Sequence, residues 1–160
     1  MVVYHKTVIP EGKPPEKMPK GIKTLYLSDE LGSDYRKITE KDLNRLLKDI
    51  RNKKHIGISL NNDPDLEGDY MQIEISNNLI CLEYVENNLK SNECSYSCFN
   101  PDYLDSDEWS PMDAADGQSI ILMRYTMEDP ELAAKCVEYF VRTGKLYPGM
   151  AWLKQWQSNE

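Results

Sequence analysis

The acids between residues 63 and 74 have a spacing that could bind a metal ion. Carboxylates at Asp63, Asp65, Glu67 and Glu74, with Gly68 between them, match the ligand and turn positions of a calcium-binding loop. Neighbouring acids such as Asp107 and Glu108 are also the residue types of general acid and base catalysis. One hypothesis is therefore a calcium-binding or hydrolytic α+β enzyme that uses the acids of residues 63–74.

The surroundings of these acids do not favour a metal site or an enzyme. A calcium-binding loop lies between two helices, whereas residues 55–60 and 71–75 alternate between apolar and polar, as strands do. The chain also lacks the G-x-S-x-G, H-E-x-x-H, phosphate-binding-loop and dinucleotide-binding glycine patterns, and it has two histidines. We therefore expect no metal, no cofactor and no catalytic residue.

Charge is distributed very unevenly along the chain. Residues 61–118 contain fourteen Asp and Glu but a single basic residue, Lys90, whereas the net charge of the whole chain is −8. A concentrated negative surface attracts a cationic partner and speeds its association, and it repels the phosphates of nucleic acids. The sequence predicts binding to a basic protein surface and argues against binding to nucleic acid. The alternative is that these acids form only a solvated, solubilising face.

Length and composition predict one ordinary globular domain. The 160 residues fit a single unit over residues 1–160, and no stretch has the apolar length of a signal-peptide core or a membrane span. The four cysteines lack the C-x-x-C spacing of a zinc site. We therefore expect reduced, mostly buried thiols in a cytoplasmic protein without membrane contact.

Apolar periodicity predicts the elements of the first half of the chain. Val2–Ile9 is predicted as an edge strand, residues 10–21 as an extended loop rich in Pro and Lys, and residues 22–27 and 55–60 as short strands. Thr39 is predicted as a helix N-cap. The helix after it should bury apolar residues that recur at helical spacing: Leu43, Leu46, Leu47 and Ile50.

Residues 70–86 predict a β-hairpin whose register follows from its turn. Asn77 and Asn78 suit the positive φ angles of a two-residue turn. Pairing the residues on either side of that turn brings the apolar side chains of both strands onto one face. The other face then carries Glu74 and Glu83 and is free for solvent or a partner.

Residues 100–118, hereafter the acidic loop, show no helix or strand period. They contain six acids around aromatic residues, and loops of this length are usually functional or disordered. A disordered loop has little need of Trp109, and Trp, Tyr and Met are common at protein interfaces. Two interpretations stay open, namely that Trp109 contacts a partner or that it closes the core.

The last forty residues have the clearest pattern. Residues 119–126 are predicted as a central strand, and residues 149–156 as the last strand. Between them lies a helix that Asp129 caps, Pro130 begins and Gly144 ends. Runs of strands around two main helices predict an α+β fold, in which both helices pack on a largely antiparallel sheet.

The segment from Ser119 to Trp152 resembles the C-terminal signature of a known family. It contains, in order, Asp129-Pro130-Glu131-Leu132-Ala133, then Glu138-Tyr139-Phe140-Val141-Arg142-Thr143-Gly144, then Pro148 and Trp152. This order is similar to that of immunity protein family 1 of bacterial polymorphic toxin and contact-dependent inhibition systems. In that family an Ala- and aromatic-rich helix ends in Thr-Gly, and a Pro and a Trp follow. The spacing before Pro148 is longer here.

The resemblance implies a protein that binds and neutralises a cognate toxin domain, often a deaminase or nuclease, by covering its active site. The basic cleft of such a toxin would face the acidic surface of this chain. The contact residues that we expect are Tyr103, Asp105, Asp107, Glu108, Trp109, Asp113, Asp116, Glu74 and Glu83. Gly144 and Trp152 are expected to be scaffold residues. A regulatory protein-interaction module of another kind is the remaining alternative.

Overall fold

The computed structural model describes residues 1–24, 26–29, 36–63, 68–86, 94–113 and 120–159. These residues form β1 (Val2–Ile9), β2 (Tyr26–Asp29), α1 (Glu40–Arg51), β3 (Ile56–Asn61), β4 (Tyr70–Ser76), β5 (Leu79–Glu86), β6 (Cys94–Ser97), α2 (Pro130–Thr143) and β7 (Trp152–Asn159). Two short 3-10 turns, Pro101–Tyr103 and Met123–Tyr125, lie between β6 and α2. The predicted α+β class is confirmed.

The seven strands of the described residues form one antiparallel sheet in the order β1-β7-β6-β5-β4-β3-β2. As predicted, β1 is an edge strand. The hairpin of β4 and β5 also has the predicted register, because Ser76 pairs with Leu79 and Met71 with Tyr84. Asn77 and Asn78 have φ angles of 49° and 68°, which is the turn geometry that their side chains tolerate.

Both helices begin at the N-caps that the sequence indicates, and α2 also ends at the predicted Gly144. At α1 the Thr39 hydroxyl accepts a hydrogen bond from the Asp42 amide, and the Asp42 carboxylate accepts one from the Thr39 amide. The hydrogen bond from the Thr39 backbone holds the pKa of Asp42 below its usual value. At α2 the Asp129 carboxylate caps the first turn, and Gly144 ends the helix with a φ of 72°.

Both helices pack on the same face of the sheet. One apolar cluster combines Leu43, Leu47 and Ile50 of α1, Ala133, Val137 and Phe140 of α2, and Met71, Ile73, Ile75, Ile80 and Leu82 of the central hairpin. Side chains alternate between the two faces of a strand. The residues between these core positions therefore point to the opposite face, called here the open face because no helix covers it in the described part of the chain.

Three predicted strands differ from the structure. Residues 120–126 are not a central strand, because β6 pairs directly with β7 and leaves no place between them in the sheet. This segment instead makes one bridge and a 3-10 turn; Ser119 lies outside the described residues. Residues 22–24 are not in β2, since the amides of Lys23 and Thr24 donate to the Val141 carbonyl at the end of α2. The last strand is shifted to Trp152–Asn159, where β1 pairs with its full length.

Candidate interaction surface

The described part of the acidic loop lies against the turn end of the hairpin. The Asp113 amide donates to the Ser76 hydroxyl over 2.7 Å, and the Asn77 side chain donates to the Pro111 carbonyl. Ile80 and Met127 exchange backbone hydrogen bonds of 2.8 and 2.9 Å just beyond this contact. Within the described part of the chain, the loop and the segment after it therefore cover one end of the open face and leave the other end uncovered.

Arg124 holds the acidic loop in place. Its guanidinium donates two hydrogen bonds, of 3.1 and 2.7 Å, to the Ser106 carbonyl and forms an ion pair with Asp107. The Arg124 side chain is only 11% exposed, whereas that of Asp107 is 91% exposed. The loop is thus tied down by a covered cation while its carboxylates face solvent, which orders the surface before any partner arrives.

Trp109 projects from the described part of this loop. It forms a backbone bridge with Leu122, and the hydrogen bonds from Ser110 to Ile121 and from Met123 to Glu108, each 2.9 Å, fix the pairing. The Trp109 side chain is nevertheless 67% exposed. Of the two interpretations of Trp109, closure of the core is therefore wrong, and an exposed aromatic residue on a fixed backbone is the observation to explain.

Exposed acids flank Trp109 in the sequence of this loop. Asp105, Glu108 and Asp113 are exposed like Asp107, and Tyr103 is half-buried. Lys6 of β1 donates to the Leu104 carbonyl and to the Asp105 carboxylate, over 3.3 and 3.4 Å, so the loop also touches the edge of the sheet. The expected contact residues in the described part of the loop are therefore all exposed or half-buried: Tyr103, Asp105, Asp107, Glu108, Trp109 and Asp113.

The remaining expected contact residues are less accessible or lie elsewhere. Glu83 is half-buried on the open face, but only 9% of Glu74 is exposed, and the Gln72 amide donates to it. The acidic loop covers the end of the hairpin face that the sequence left open for a partner, so we drop Glu74 from the contact surface. Asp116 lies outside the described residues.

The two scaffold residues have the expected surroundings. Trp152 is 1% exposed in the main apolar cluster, and its indole nitrogen donates to the Tyr147 carbonyl over 2.9 Å. The Gly144 amide donates to the Phe140 carbonyl over 2.7 Å, which closes the last turn of α2. Trp152 therefore lies in the core and Gly144 at the end of α2, and neither belongs to the acidic loop.

A cleft on the uncovered end of the open face has no counterpart in the sequence analysis. Its volume is 320 Å³, and its lining includes Tyr4, Tyr70, Glu83, Ser95, Gln155 and Gln157. These residues come from β1, β4, β5, β6 and β7, which the sheet register brings side by side. The sequence indicates only which residues of each strand share a face, from the alternation of polar and apolar residues along it. The order of the strands is needed before the cleft can be recognised.

The described residues do not assemble a metal site. No group of three or more His, Cys, Asp and Glu side chains among them could hold an ion. The stretch proposed for calcium joins β3 to β4, as the strand pattern predicted, but its residues 64–67, with Asp65 and Glu67, lie outside the described part of the chain. The calcium hypothesis therefore loses the flanking helices that such a loop requires.

The four cysteines, all of them described, are free thiols. Cys98 and Cys136 are buried, as expected, while Cys81 and Cys94 are half-buried. Burial raises the pKa of Cys136, and the Cys98 thiol together with burial raises that of Cys81. The Cys81 and Cys136 thiols therefore stay protonated at neutral pH. Because the thiolate is the reactive form, both are poor nucleophiles.

Neither helix in the described part of the chain has the length and apolar content that a bilayer crossing requires. No protein-family model, no curated protein and no solved structure matches the chain. The resemblance of residues 119–152 to immunity protein family 1 therefore remains an expectation from the quoted residues, and a function has to be argued from the surface itself.

Proposed function

We propose that this protein is an immunity protein that binds a cognate bacterial toxin domain, a deaminase or a nuclease, and neutralises it by covering its active site or substrate cleft. The observation that carries the proposal is the exposure of Trp109 in the described part of the acidic loop, where hydrogen bonds fix its backbone. The proposal assigns the protein to the bacterial cytoplasm, where such a toxin acts.

The charge of the loop supports a basic partner. A toxin that acts on nucleic acid needs Lys and Arg in its cleft to hold phosphates. Carboxylates at Asp105, Asp107 and Glu108 oppose such a cleft in sign, so they attract it over a distance of roughly one Debye length, about 8 Å at physiological salt. Rim charges of this kind raise the association rate more than the final affinity.

Trp109 contributes to the affinity of the complex, whereas the charges mainly raise the association rate. A tryptophan at the centre of an interface is among the commonest hot spots, and its truncation there typically costs about 2 kcal/mol or more of binding free energy. The hydrogen bonds from Arg124 to the Ser106 carbonyl and the bridge between Trp109 and Leu122 fix the backbone of the loop before binding. Less conformational entropy is then lost on association, which favours tight binding.

The proposal is tested by co-expressing this protein with the toxin domain encoded beside its gene. We expect cell survival and a one-to-one complex in size-exclusion chromatography. Trp109→Ala should weaken protection without loss of fold, and Trp109→Phe should restore most of it, because Phe keeps much of the apolar area. If the neighbouring product is neither bound nor inhibited, the immunity function is wrong, and the same surface belongs to a regulatory interaction module.

A further inference from the structure

The outer edge of β1 pairs with no strand in the described part of the chain. β1 is the first strand of the sheet, and along its whole length it pairs with β7 on one side only. In an antiparallel edge strand, alternate residues point their N–H and C=O groups away from the sheet, where a further strand can bind them. This pairing edge is as long as β5 or β7.

β1 lacks the features that usually protect a sheet edge. Natural edge strands are short or carry charges, proline or a bulge. β1 has eight residues in continuous register, no proline and one charged side chain at neutral pH, that of Lys6, whose amine contacts the Asp105 carboxylate. Three of the exposed large apolar residues of the described chain lie on it: Val2, Tyr4 and Val8. A second strand on this edge would cover part of that apolar surface.

The exposed apolar residues of β1 share one face of the sheet. Ile9 lies opposite Trp152 of the main apolar cluster, so the odd-numbered residues of β1 face the helices. The residues on the open face are Val2, Tyr4, Lys6 and Val8. This alternation limits how another strand can pair with β1, because directly opposed residues of one sheet lie on the same face.

We infer that this edge binds a second copy of the chain, β1 against β1, about a two-fold axis between the two His5 residues. An axis perpendicular to the sheet makes the two strands antiparallel and keeps both open faces on one side. Val2 of each copy then lies opposite Val8 of the other, so apolar side chains meet. Tyr4 lies opposite Lys6, and the face of an aromatic ring attracts a cation.

The neighbouring registers are less favourable. An axis at Lys6 would place the two lysines opposite each other, and like charges in that position destabilise a strand pair. An axis at Tyr4 would leave only the first five residues of the strand paired. The axis at His5 brings no ring into the edge, because the His5 ring stacks on Trp156 of β7 with the ring centroids 5.1 Å apart.

A second copy fits this edge better than a basic partner does. β1 carries a lysine and no acid, so it offers no negative charge to a basic protein, and its near neutrality does not repel an identical strand. The two acidic loops of the dimer lie on the same side of the joined sheet, each with its own Trp109. The inference therefore goes beyond the proposed function and does not depend on it.

The first test is the mass of the full-length protein in solution. Sedimentation velocity at rising concentration should show twice the monomer mass, with a Kd of roughly micromolar order, because one strand pair buries less area than a standard interface. A monomer at every concentration up to about 1 mM would overturn the inference. So would a monomer whose β1 amides are protected from hydrogen exchange only after the toxin domain is added, since a toxin strand would then occupy the edge.

Charge substitutions at Tyr4 test the register. Tyr4→Lys should raise the Kd of the dimer at least about tenfold, because two like-charged pairs with Lys6 form across the axis. Tyr4→Glu should not raise it, since Glu opposes Lys6 in sign. Tyr4 is 76% exposed, so neither change should unfold the protein, and Trp109→Ala, at a similarly exposed aromatic away from β1, is the control that should leave the Kd unchanged. An equal Kd for the Lys and Glu variants would overturn the pairing.

The unsubstituted protein gives an independent readout by NMR. Val2 and Val8 are six residues apart on one strand, which is about 20 Å at about 3.3 Å per residue and too far for a methyl–methyl nuclear Overhauser effect. A cross-peak between the methyl groups of Val2 and Val8 can therefore come only from two copies, and we expect it at concentrations where the dimer forms. A dimer without this cross-peak would overturn the inference.

Discussion

Trp109 and Trp152 differ in how much of each residue is exposed to solvent. Trp152 is 1% exposed and belongs to the main apolar cluster, whereas Trp109 is 67% exposed on the acidic loop. Burial of a large aromatic side chain stabilises the fold, and exposure of one costs solubility without any return in stability. Trp152 is therefore a scaffold residue, and the proposed toxin contact would give the exposed Trp109 a role.

Alanine substitution should separate the two roles. Trp152→Ala removes a fully buried side chain and should lower the free energy of unfolding by about 3–5 kcal/mol. Trp109→Ala should change it by no more than about 0.5 kcal/mol, because an exposed side chain away from special features contributes little. Urea unfolding of both variants at neutral pH measures the difference. Equal losses would mean that Trp109 supports the core after all.

At the scale of elements, Gly144 shows how one residue ends a helix. Its φ of 72° lies in the left-handed region, and a Cβ added there would meet no atom within 4 Å. Substitution is therefore opposed by backbone conformation and not by crowding. The hydrogen bond from its amide to the Phe140 carbonyl ties the chain to the end of α2, from which residues 145–151 lead into β7.

Gly144→Ala should destabilise the protein by about 1–2 kcal/mol, the cost of the left-handed conformation for an ordinary L-residue. Gly144→Asn is the matched control and should lose less, because Asn tolerates this conformation. Thermal unfolding of the two variants gives the comparison. An equal loss for Asn and Ala would point to a packing role that the open space around Gly144 does not provide.

The charges of the acidic loop should govern the rate of association. In a triple variant, Asp102→Asn, Asp105→Asn and Glu108→Gln, three exposed charges are removed while the Asp107 ion pair with Arg124 stays intact. We expect slower association with the toxin domain, a flatter dependence on salt and little change in dissociation. Stopped-flow kinetics at two salt concentrations measure this. Unchanged association at low salt would reduce the loop to a solubilising surface.

The sequence predicts an element correctly when residues close together in the chain determine it, and fails when long-range strand pairing does. The cap at Thr39, the end of α2 at Gly144 and the hairpin register follow from side chains a few residues apart, and all three are confirmed. Residues 120–126 look like a strand by composition, but long-range pairing of β6 with β7 excludes them from the sheet. The cleft at Glu83 was missed for the same reason, since five strands build it.

At the scale of the whole molecule, the acidic loop concentrates negative charge on the open face of the sheet. On the other face α1 exposes both cations, Lys41, Arg45 and Lys48, and an acid, Glu40. A charge distribution of this kind orients a charged partner during its approach. The expected result is one preferred side for docking, and it is the side on which Trp109 and the cleft lie.

The fold as a whole should lose stability in alkali. Burial raises the pKa of Tyr84, Tyr96 and Cys136, so the folded protein keeps these protons when the unfolded chain loses them at about pH 8.5 for Cys and 10 for Tyr. The folded state then binds more protons than the unfolded state, and the free energy of unfolding falls as pH rises.

Urea unfolding between pH 7 and 11 checks the direction of this effect. We expect nearly constant stability up to about pH 8 and a progressive loss above it, with a smaller slope near pH 10 in Tyr84→Phe. Stability that rises or stays level up to pH 11 would contradict the burial of these groups.

The central claim is that the protein acts by occupancy, and an inhibition titration tests it most directly. A fixed amount of the neighbouring toxin domain, well above the Kd, is assayed with increasing amounts of purified protein. The account predicts a linear loss of activity with an end point at one protein per toxin, and a curved, right-shifted titration for Trp109→Ala. Inactivation of excess toxin by trace protein, or an end point that Trp109→Ala does not change, would contradict it.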